Sequence, residues 1–185
     1  MNIFFLDKNP TLCAQYHNNR HCVKMIVEIA QLLSTAHRVL DGKEIKQISK
    51  AGRKQKYWQL SDEREQELYK ATHISHPSAI WVRKCEENYI WLVELLQELL
   101  YEYTFRYGKT HKTETIIEYL KIPPKNISKF YHFSDPTVAM DSKYIIYSDN
   151  KINSLLSYRN YYKHGKSHLA CWNGKTNSRQ IPDWF

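Results

Sequence analysis

Glycine is scarce in this sequence, with only five glycines among 185 residues. The glycine-rich phosphate loops of dinucleotide-binding and P-loop proteins, GxGxxG and GxxxxGK[ST], do not occur. Their absence argues against a nucleotide-binding α/β fold. The HExxH signature of zinc peptidases is also missing, so no metal site is indicated by a known motif.

Cysteine is used sparingly and without metal-binding or redox spacing. Cys13, Cys22, Cys85 and Cys171 form no CxxC pair. We expect them to act as small apolar side chains in a reducing compartment.

Long apolar runs are lacking as well, and the start MNIFFLDKNP has no charged segment of the signal-peptide type. The sequence therefore predicts a cytoplasmic protein with no membrane partner.

Positive charge is what the chain has in excess. Lysine and arginine number 27 against 19 acidic residues, which gives a net charge of +8. This balance favours DNA or a phosphorylated nucleotide as partner, although a merely soluble basic protein remains the alternative. The 42% hydrophobic content predicts one globular domain over residues 1–185. The oligomeric state is left open.

A long helix is predicted over residues 11–40, because apolar residues recur there with helical period. Thr11 is the expected N-cap, and Gly42 marks the end. A narrow polar stripe remains on this mostly apolar helix. It comprises His17, Arg20, His21, Lys24, Glu28, Gln31, Thr35 and Arg38. With two histidines and one carboxylate, the stripe indicates a cleft, and an ordinary solvent face is the alternative.

A second long helix is predicted over residues 78–107, with Pro77 at its first position and Gly108 after its end. Shorter helices are expected at residues 61–69, 113–120 and 150–163. The fold class is therefore mainly α. We expect a compact single-domain helical bundle with two long central helices and at most a short N-terminal strand.

Residues 41–59 are predicted to form a basic surface loop or insertion, since lysine and arginine dominate this segment. The alternative is a phosphate-contacting arm. Tyr57 and Trp58 would then be available for base stacking.

The pair Lys24 and Glu28 is the first candidate for catalysis, with His17 and His21 beside it on the same stripe. A lysine amine can attack a sugar or carbonyl carbon, and a nearby carboxylate can transfer protons or stabilise an oxocarbenium ion. The alternative is a simple ion pair one helical turn apart.

The histidines also suggest a metal site as an alternative to a cofactor-free enzyme. His17 and His21 are spaced HxxxH, and His73 and His76 are spaced HxxH. Four imidazoles of this kind can share a divalent metal. We predict no cofactor, with a divalent metal as the alternative. His37 lies on the apolar side and is expected to be a core histidine.

Further residues are candidates for substrate binding. The turn at residues 72–77 is expected to cover the polar stripe, because neither polar patch is comfortable buried alone. His73 or His76 would then lie close to His17, His21 or Glu28, and their side chains would share a single pocket with Arg83 or Asn88. The candidates are Arg20, Gln31, Arg38, His73, His76, Arg83, Asn88, Tyr103, Arg106 and Tyr107.

Several longer stretches are similar to known proteins. The succession AQxH, HxVKMxxExAQLLSTAHR, THxxHPxxxW, EYTxRYGKxHK, YRNYY and PDWF resembles a family of small, largely uncharacterised bacteriophage proteins. The basic segment at residues 41–57 looks like an insertion against shorter members. The resemblance implies a protein made in the cytoplasm of an infected bacterium, and it implies no activity.

A weaker similarity links the chain to phage pyrimidine dimer DNA glycosylases. Residues 14–17 resemble their early histidine-bearing helix, and YRNYYKHGK resembles their aromatic tail. Those enzymes use an N-terminal α-amine as nucleophile and a glutamate seven residues after the histidine. Here that position is Lys24, the next glutamate is Glu28, and Asn2 in second place predicts that Met1 is retained.

The leading hypothesis is a phage-encoded DNA glycosylase-like enzyme that cleaves an N-glycosidic bond in DNA, with or without lyase activity. Lys24 would be nucleophile or electrostatic partner, and Glu28 the acid–base group. Asn88, Tyr103 and Tyr107, with Trp81, are available to hold a flipped base. Two alternatives stay open: an enzyme that hydrolyses or binds a small phosphorylated nucleotide or metabolite, and a non-enzymatic, host-inhibiting nucleic-acid-binding protein.

Overall fold

The computed structural model describes residues 1–48, 52 and 54–185, and its fold is mainly α, as predicted. The helices described are α1 (Pro10–Tyr16), α2 (Asn19–Asp41), α3 (Arg64–Glu67), α4 (Pro77–Val82), α5 (Glu86–Tyr107), α6 (Ile117–Leu120) and α7 (Ser154–Gly165). The strands form two antiparallel hairpins, β1 (Lys43–Ile48) with β2 (Lys54–Gln59) and β3 (Tyr147–Ser148) with β4 (Lys151–Ile152). Short 3₁₀ turns cover Lys112–Ile116, Ser142–Tyr144 and Ser167–Leu169.

The predicted helix over residues 11–40 is wrong as a single element. It is two helices, because His17 adopts an extended backbone with ψ 128° and Asn18 starts a new helix. The Asn18 side chain accepts a hydrogen bond from the His21 N–H at 2.9 Å, which caps α2. Asn9, and not Thr11, caps α1, with Pro10 at its first position. Gly42 follows the end of α2, as predicted.

The second long helix is also interrupted, which corrects the prediction of one helix over residues 78–107. Cys85 is extended, with φ −156° and ψ 162°, and separates α4 from α5. The Asn88 amide spans this break by donating to the Trp81 carbonyl oxygen at 3.0 Å. Both ends agree with the sequence prediction, since Pro77 opens α4 and Gly108 ends α5 with a left-handed φ of 64°.

The basic segment at residues 41–59 contains a β-hairpin where a loop was predicted. Within it, Lys46 lies directly opposite Lys56. The expectation of at most a short N-terminal strand is therefore wrong, since β1 to β4 lie elsewhere and residues 2–6 form a buried arm without strand pairing. Lys50 and Arg53, part of the predicted basic segment, lie outside the described residues.

The shorter elements differ from prediction mainly at their starts. The helix expected at 61–69 is the single turn α3. The helix expected at 150–163 begins at Ser154 with Asn153 as its cap. Asp149 and Asn150 have positive φ values of 51° and 59° and form the β3–β4 turn instead. Residues 113–120 divide between a 3₁₀ turn and α6.

The core forms where the two longest helices, α2 and α5, pack against each other. The N-terminal arm inserts beside them, and its residues Ile3 to Leu6 are all buried. The C-terminal segment docks onto the body: Trp172 is buried, and Trp184 and Phe185 pack on the core. Each fully buried large apolar side chain contributes about 1.5–3 kcal/mol. Burial of the arm therefore fixes the start of the chain firmly against α2.

All four cysteines are free, and Cys13, Cys22 and Cys85 are buried. This fits their predicted use as small apolar side chains. Among the helices described, none combines the length and apolarity needed to cross a bilayer.

Candidate functional site

Glu28 is the centre of the candidate site. Its half-buried carboxylate uses both oxygens: Oε1 is paired with the Lys24 ammonium at 3.0 Å, and Oε2 accepts from the Asn2 backbone N–H at 3.3 Å. The Glu28 side chain is 16% exposed, whereas that of Lys24 is 63% exposed. Lysine before glutamate is the less favourable order for an i, i+4 pair on a helix. Helix stabilisation alone therefore explains the pair poorly.

Asn2 is held beside Glu28 by side-chain hydrogen bonds. Its amide donates to the Ala139 carbonyl at 3.0 Å, and its side-chain oxygen accepts from the Tyr158 hydroxyl at 2.6 Å. Tyr158 lies on α7 and is fully buried, and this burial raises the pKa of its phenol. The start of the chain is thus fixed in position beside the carboxylate by α7 and by residues near 139.

His76 is a further titratable group on which the charge of Glu28 acts. Burial lowers the pKa of its imidazole, the positive amino terminus and His73 lower it further, and Glu28 opposes them. Its Nδ1 accepts from the Ser78 N–H at 3.2 Å, which fixes the tautomer with the proton on Nε2. His76 is therefore a neutral imidazole that is under the electrostatic influence of both the carboxylate and the amino terminus.

The turn that carries the two histidines is tied to α2, as the sequence analysis anticipated. The Thr72 N–H donates to the Thr35 hydroxyl at 3.2 Å, and Arg83 donates to the Ile74 carbonyl at 2.7 Å. His76 is half-buried, whereas His73 is exposed. The charge of Glu28 acts on His76, and the single pocket shared with Arg83 or Asn88 stays a prediction.

His17 and His21 lie in a separate aromatic cluster. The His21 ring stacks on Phe4 with centroids 4.2 Å apart, and its Nδ1 lies 2.6 Å from the Tyr162 hydroxyl. His17 Nδ1 donates to the Cys13 carbonyl at 2.7 Å. Its Nε2 is buried and has no hydrogen-bond partner among the described residues. Burial lowers the pKa of His17 to about 4 and that of His21 to about 3, so both are neutral.

The predicted four-histidine metal site is divided between these two places. His17 and His21 contact Phe4 and Tyr162, while His73 and His76 lie in the turn before α4. In the part of the chain that the structure describes, no group of three or more potential ligands is arranged to hold a metal ion.

Arg38, predicted to bind substrate, is fully buried in a network within the protein. Its guanidinium donates to the Glu65 carboxylate at 2.6 Å and to the carbonyls of Tyr69 and Trp58. Tyr57 also donates to Glu65, so this residue of the basic segment is held against α2. The network fastens the β1–β2 hairpin to α2.

Arg106 has a similar buried position between helices. It pairs with Glu102 at 2.9 Å and donates to the carbonyls of His17 and Gln15 at 2.8 and 2.9 Å. These carbonyls are exposed by the end of α1 and need donors. Arg106 therefore joins α5 to the junction between α1 and α2.

The Asn88 amide is also satisfied internally, through Trp81 and Ser134. Tyr107 donates to the Asn19 carbonyl at 3.3 Å, and Tyr103 packs on His111.

The other stripe residues remain nearer the surface. Arg20 is exposed and Gln31 is half-buried. Along α2, Arg20 precedes Glu28 by eight residues, or about 12 Å.

Sequence reasoning missed Asn2 and Tyr158 as members of the site. They are 156 positions apart, and their contact depends on how the two ends of the chain pack. The only local signals were an asparagine at position 2 and the tyrosine-rich stretch YRNYY. Neither shows which partner a side chain will find.

A basic surface lies on the outer face of the β1–β2 hairpin. Directly opposed residues of an antiparallel pair share a face, which places Lys46, Lys56 and Lys54 together with Trp58. Only Lys56 of these lysines is ion-paired in the described residues, with Glu44 at 2.9 Å. Like charges directly opposite each other destabilise a hairpin. This surface is therefore suited to an anionic partner.

No family model matches the chain, and neither a curated protein nor a solved structure is significantly similar to it.

Proposed function

We propose that this protein is a DNA N-glycosylase with lyase activity, in which a primary amine attacks the sugar and Glu28 serves as the acid–base group. The observation that carries the proposal is the Glu28 carboxylate, which lies 3.0 Å from the Lys24 amine and 3.3 Å from the backbone nitrogen of Asn2. The central pair α2 and α5 would be the scaffold of a helical bundle. The cytoplasm of an infected bacterium would be its place of action.

The chemistry needs few groups. Glu28 first takes a proton from the neighbouring ammonium, and the lone pair of the resulting amine forms a bond to C1′ of the target nucleotide while the bond from C1′ to the base nitrogen breaks. The protonated Glu28 gives its proton to the departing base and then accepts the proton that the attached nitrogen loses. The sugar ring then opens to an imine, from which the 3′ phosphate can be eliminated. A carboxylate at this position also stabilises positive charge on the sugar.

Two amines are candidates for the nucleophile. One is Lys24, and the other is the amino terminus, whose positive charge acts on His76 and whose neighbour Asn2 contacts Glu28. Both would be served by the same carboxylate. The neutral His76 imidazole would donate a hydrogen bond from Nε2 to the leaving base.

DNA as the substrate is supported by the charge distribution. The net charge is +8, and three lysines share the outer face of the β1–β2 hairpin. A two-stranded ribbon has dimensions that the major groove admits. Binding through lysine–phosphate contacts should weaken steeply as salt increases.

The direct test is borohydride trapping on a panel of damaged and abasic duplexes. We expect a covalent protein–DNA adduct, and peptide mapping would assign it to Lys24 or to the N-terminal peptide. Glu28→Gln should lower the rate of adduct formation about a hundredfold or more. Glu118→Gln is the matched control, because Glu118 also pairs with a lysine on an exposed helix surface, Lys121 at 2.5 Å.

The outcomes separate the competing functions. Neither adduct nor base release across the panel would overturn the proposal. Duplex binding without chemistry would then favour the non-enzymatic nucleic-acid-binding protein. Thermal stabilisation by nucleotides without duplex binding would favour the enzyme of small phosphorylated metabolites.

A further inference from the structure

Phe130 and Tyr131 form an exposed aromatic tip between α6 and α7. Phe130 is 93% exposed and Tyr131 is 58% exposed. A phenylalanine so fully in water gains nothing from the hydrophobic effect, which otherwise drives such side chains inward. The neighbouring Phe133 packs on the core in the usual way.

The aromatic tip is held in place by backbone hydrogen bonds on both sides. On the N-terminal side, the Glu86 N–H donates to the Ser128 carbonyl at 2.9 Å, and the Phe130 N–H donates to the Ser128 hydroxyl at 3.2 Å. On the C-terminal side, the Phe133 N–H donates to the Glu87 carboxylate at 2.6 Å. The exposed ring is thus presented by an anchored loop, which lowers the entropy lost on binding.

Positive charge lies beside the two rings. The Lys84 ammonium is 5.6 Å from the centroid of the Tyr131 ring, and Lys129 immediately precedes Phe130. The nearby carboxylates are already engaged, since Glu86 lies 3.7 Å from Lys129 and Glu87 accepts from the chain. Exposed aromatic rings next to lysines match a nucleic acid, which offers bases for stacking and phosphates for the cations.

We infer that the aromatic tip is a stacking wedge for DNA, in which Phe130 inserts against an unstacked base and Lys84 contacts a flanking phosphate. The inference rests on the proposed function, because removing a base requires its nucleotide to leave the helix stack. An apolar side chain that fills the resulting gap stabilises the opened duplex.

The position of the aromatic tip suits this role. The segment that begins at the tip reaches Ala139 nine residues later, and the Ala139 carbonyl holds Asn2 beside Glu28. At no more than ~3.4 Å per residue, Phe130 and Ala139 are separated by at most ~30 Å. This distance corresponds to about nine base pairs of duplex at ~3.4 Å each.

The test compares Phe130→Ala with Ile122→Ala in duplex binding measured by fluorescence anisotropy. Ile122 is the matched control, because it is apolar, 70% exposed and outside the tip. Phe130→Ala should bind a duplex with a mismatched or abasic site about tenfold more weakly, and Ile122→Ala should bind as the wild type does. Lys84→Ala should lower the slope of log affinity against log salt by about one.

A variant that is expected to retain binding distinguishes loss of the stacking contact from loss of folding. Phe130→Trp should retain affinity, and its emission should change on binding a duplex with 2-aminopurine at the opened site. Equal affinities for Phe130→Ala and the wild type, or no emission change for Phe130→Trp, would overturn the inference. Loss of self-association in Phe130→Ala, with unchanged DNA binding, would reassign the tip to a protein interface and also overturn it.

The experiments can refute the stacking wedge and the proposed enzyme activity independently of each other. Anisotropy measures duplex binding and its response to changes at Phe130 in the wild type without requiring any chemical step. A wedge response without any adduct in the wild type would therefore refute the enzyme and leave the stacking wedge standing.

Discussion

Three buried histidines should make the stability of this protein strongly dependent on pH. His17, His21 and His37 are all nearly inaccessible to solvent. Burial lowers their pKa values from 6.5 to about 4, 3 and 4 respectively. The unfolded chain therefore takes up these protons first as the pH falls. Their contribution to stability is complete well above pH 6.5 and is lost progressively as the pH falls toward 4.

The hydrogen bonds give a structural reason for the neutral state of His37. Its Nδ1 accepts from the Arg64 guanidinium at 2.8 Å, and its Nε2 donates to the Tyr89 hydroxyl at 2.7 Å. A proton added at Nδ1 of His37 would point at the Arg64 guanidinium, which donates a hydrogen bond to this nitrogen in the neutral state. Protonation therefore breaks a hydrogen bond and adds charge repulsion in a buried place.

The magnitude follows from the pKa differences. At pH 5, a group whose pKa falls from 6.5 to about 4 or below costs about 2 kcal/mol of folding free energy relative to pH 8. At pH 5 the three histidines together lower the free energy of unfolding by about 6 kcal/mol relative to pH 8. This is comparable with the whole stability of an ordinary domain, about 5–15 kcal/mol.

Urea unfolding followed by circular dichroism, repeated from pH 8 to pH 4.5, measures this loss. His37→Gln should remove about a third of the pH dependence of the unfolding free energy, because glutamine does not titrate. His164→Gln is the control at an exposed position and should leave the slope unchanged. A free energy of unfolding that varies by less than about 2 kcal/mol between pH 8 and pH 5 would refute the reasoning.

Further predictions concern one residue each. Arg106→Ala should lower the unfolding free energy by about 2–4 kcal/mol in urea titrations, since it leaves the buried helix-end carbonyls of His17 and Gln15 without this donor and the Glu102 carboxylate paired with Arg179 alone; a loss below about 1 kcal/mol would contradict this. Tyr158→Phe should cost about 1 kcal/mol and slow adduct formation by freeing Asn2, and an unchanged trapping rate would contradict that positioning role. Lys46→Glu should stabilise the hairpin by a few tenths of a kcal/mol opposite Lys56 and weaken duplex binding in anisotropy titrations; unchanged affinity would remove the hairpin from the interface.

The helical class was predictable because the apolar period is strong over α2 and α5. The interruptions at residues 17–18 and 83–85 were not, because the apolar spacing continues through them. At the first, Asn18 accepts from the His21 N–H, and this local cap prevails over the continuous pattern. At the second, the Asn88 amide satisfies a carbonyl that a continuous helix would have used.

The β1–β2 hairpin shows a different reason for failure. The strand KEIKQI alternates only weakly between apolar and polar residues, and its lysines suggested a solvated loop. The hairpin is fixed to the body by Arg38, which donates to the Trp58 carbonyl and to Tyr57. A tertiary contact of this kind has no signature in the strand itself.

The candidate site was predictable where it depends on helix geometry or on the need to cover polar groups. Lys24 and Glu28 are one turn apart, so their pairing follows from the sequence. The position of the turn at residues 72–77 beside the polar stripe followed from the cost of leaving polar groups buried alone, and the Thr72–Thr35 hydrogen bond agrees with it. The fixing of Asn2 by Tyr158 could not be predicted, because it joins the two ends of the chain.

The environment of Glu28 differs from that of the carboxylates that hold the fold together. Glu102 is fully buried between Arg106 and Arg179, and Glu65 binds the buried Arg38. Each of those acids satisfies an arginine that the helices enclose, and its removal would leave a buried charge unpaired. Glu28 instead meets an exposed lysine and one backbone N–H, neither of which needs it for burial. A carboxylate that is held by two groups yet contributes little to packing is suited to acid–base chemistry, and this distinguishes Glu28 from Glu102 and Glu65.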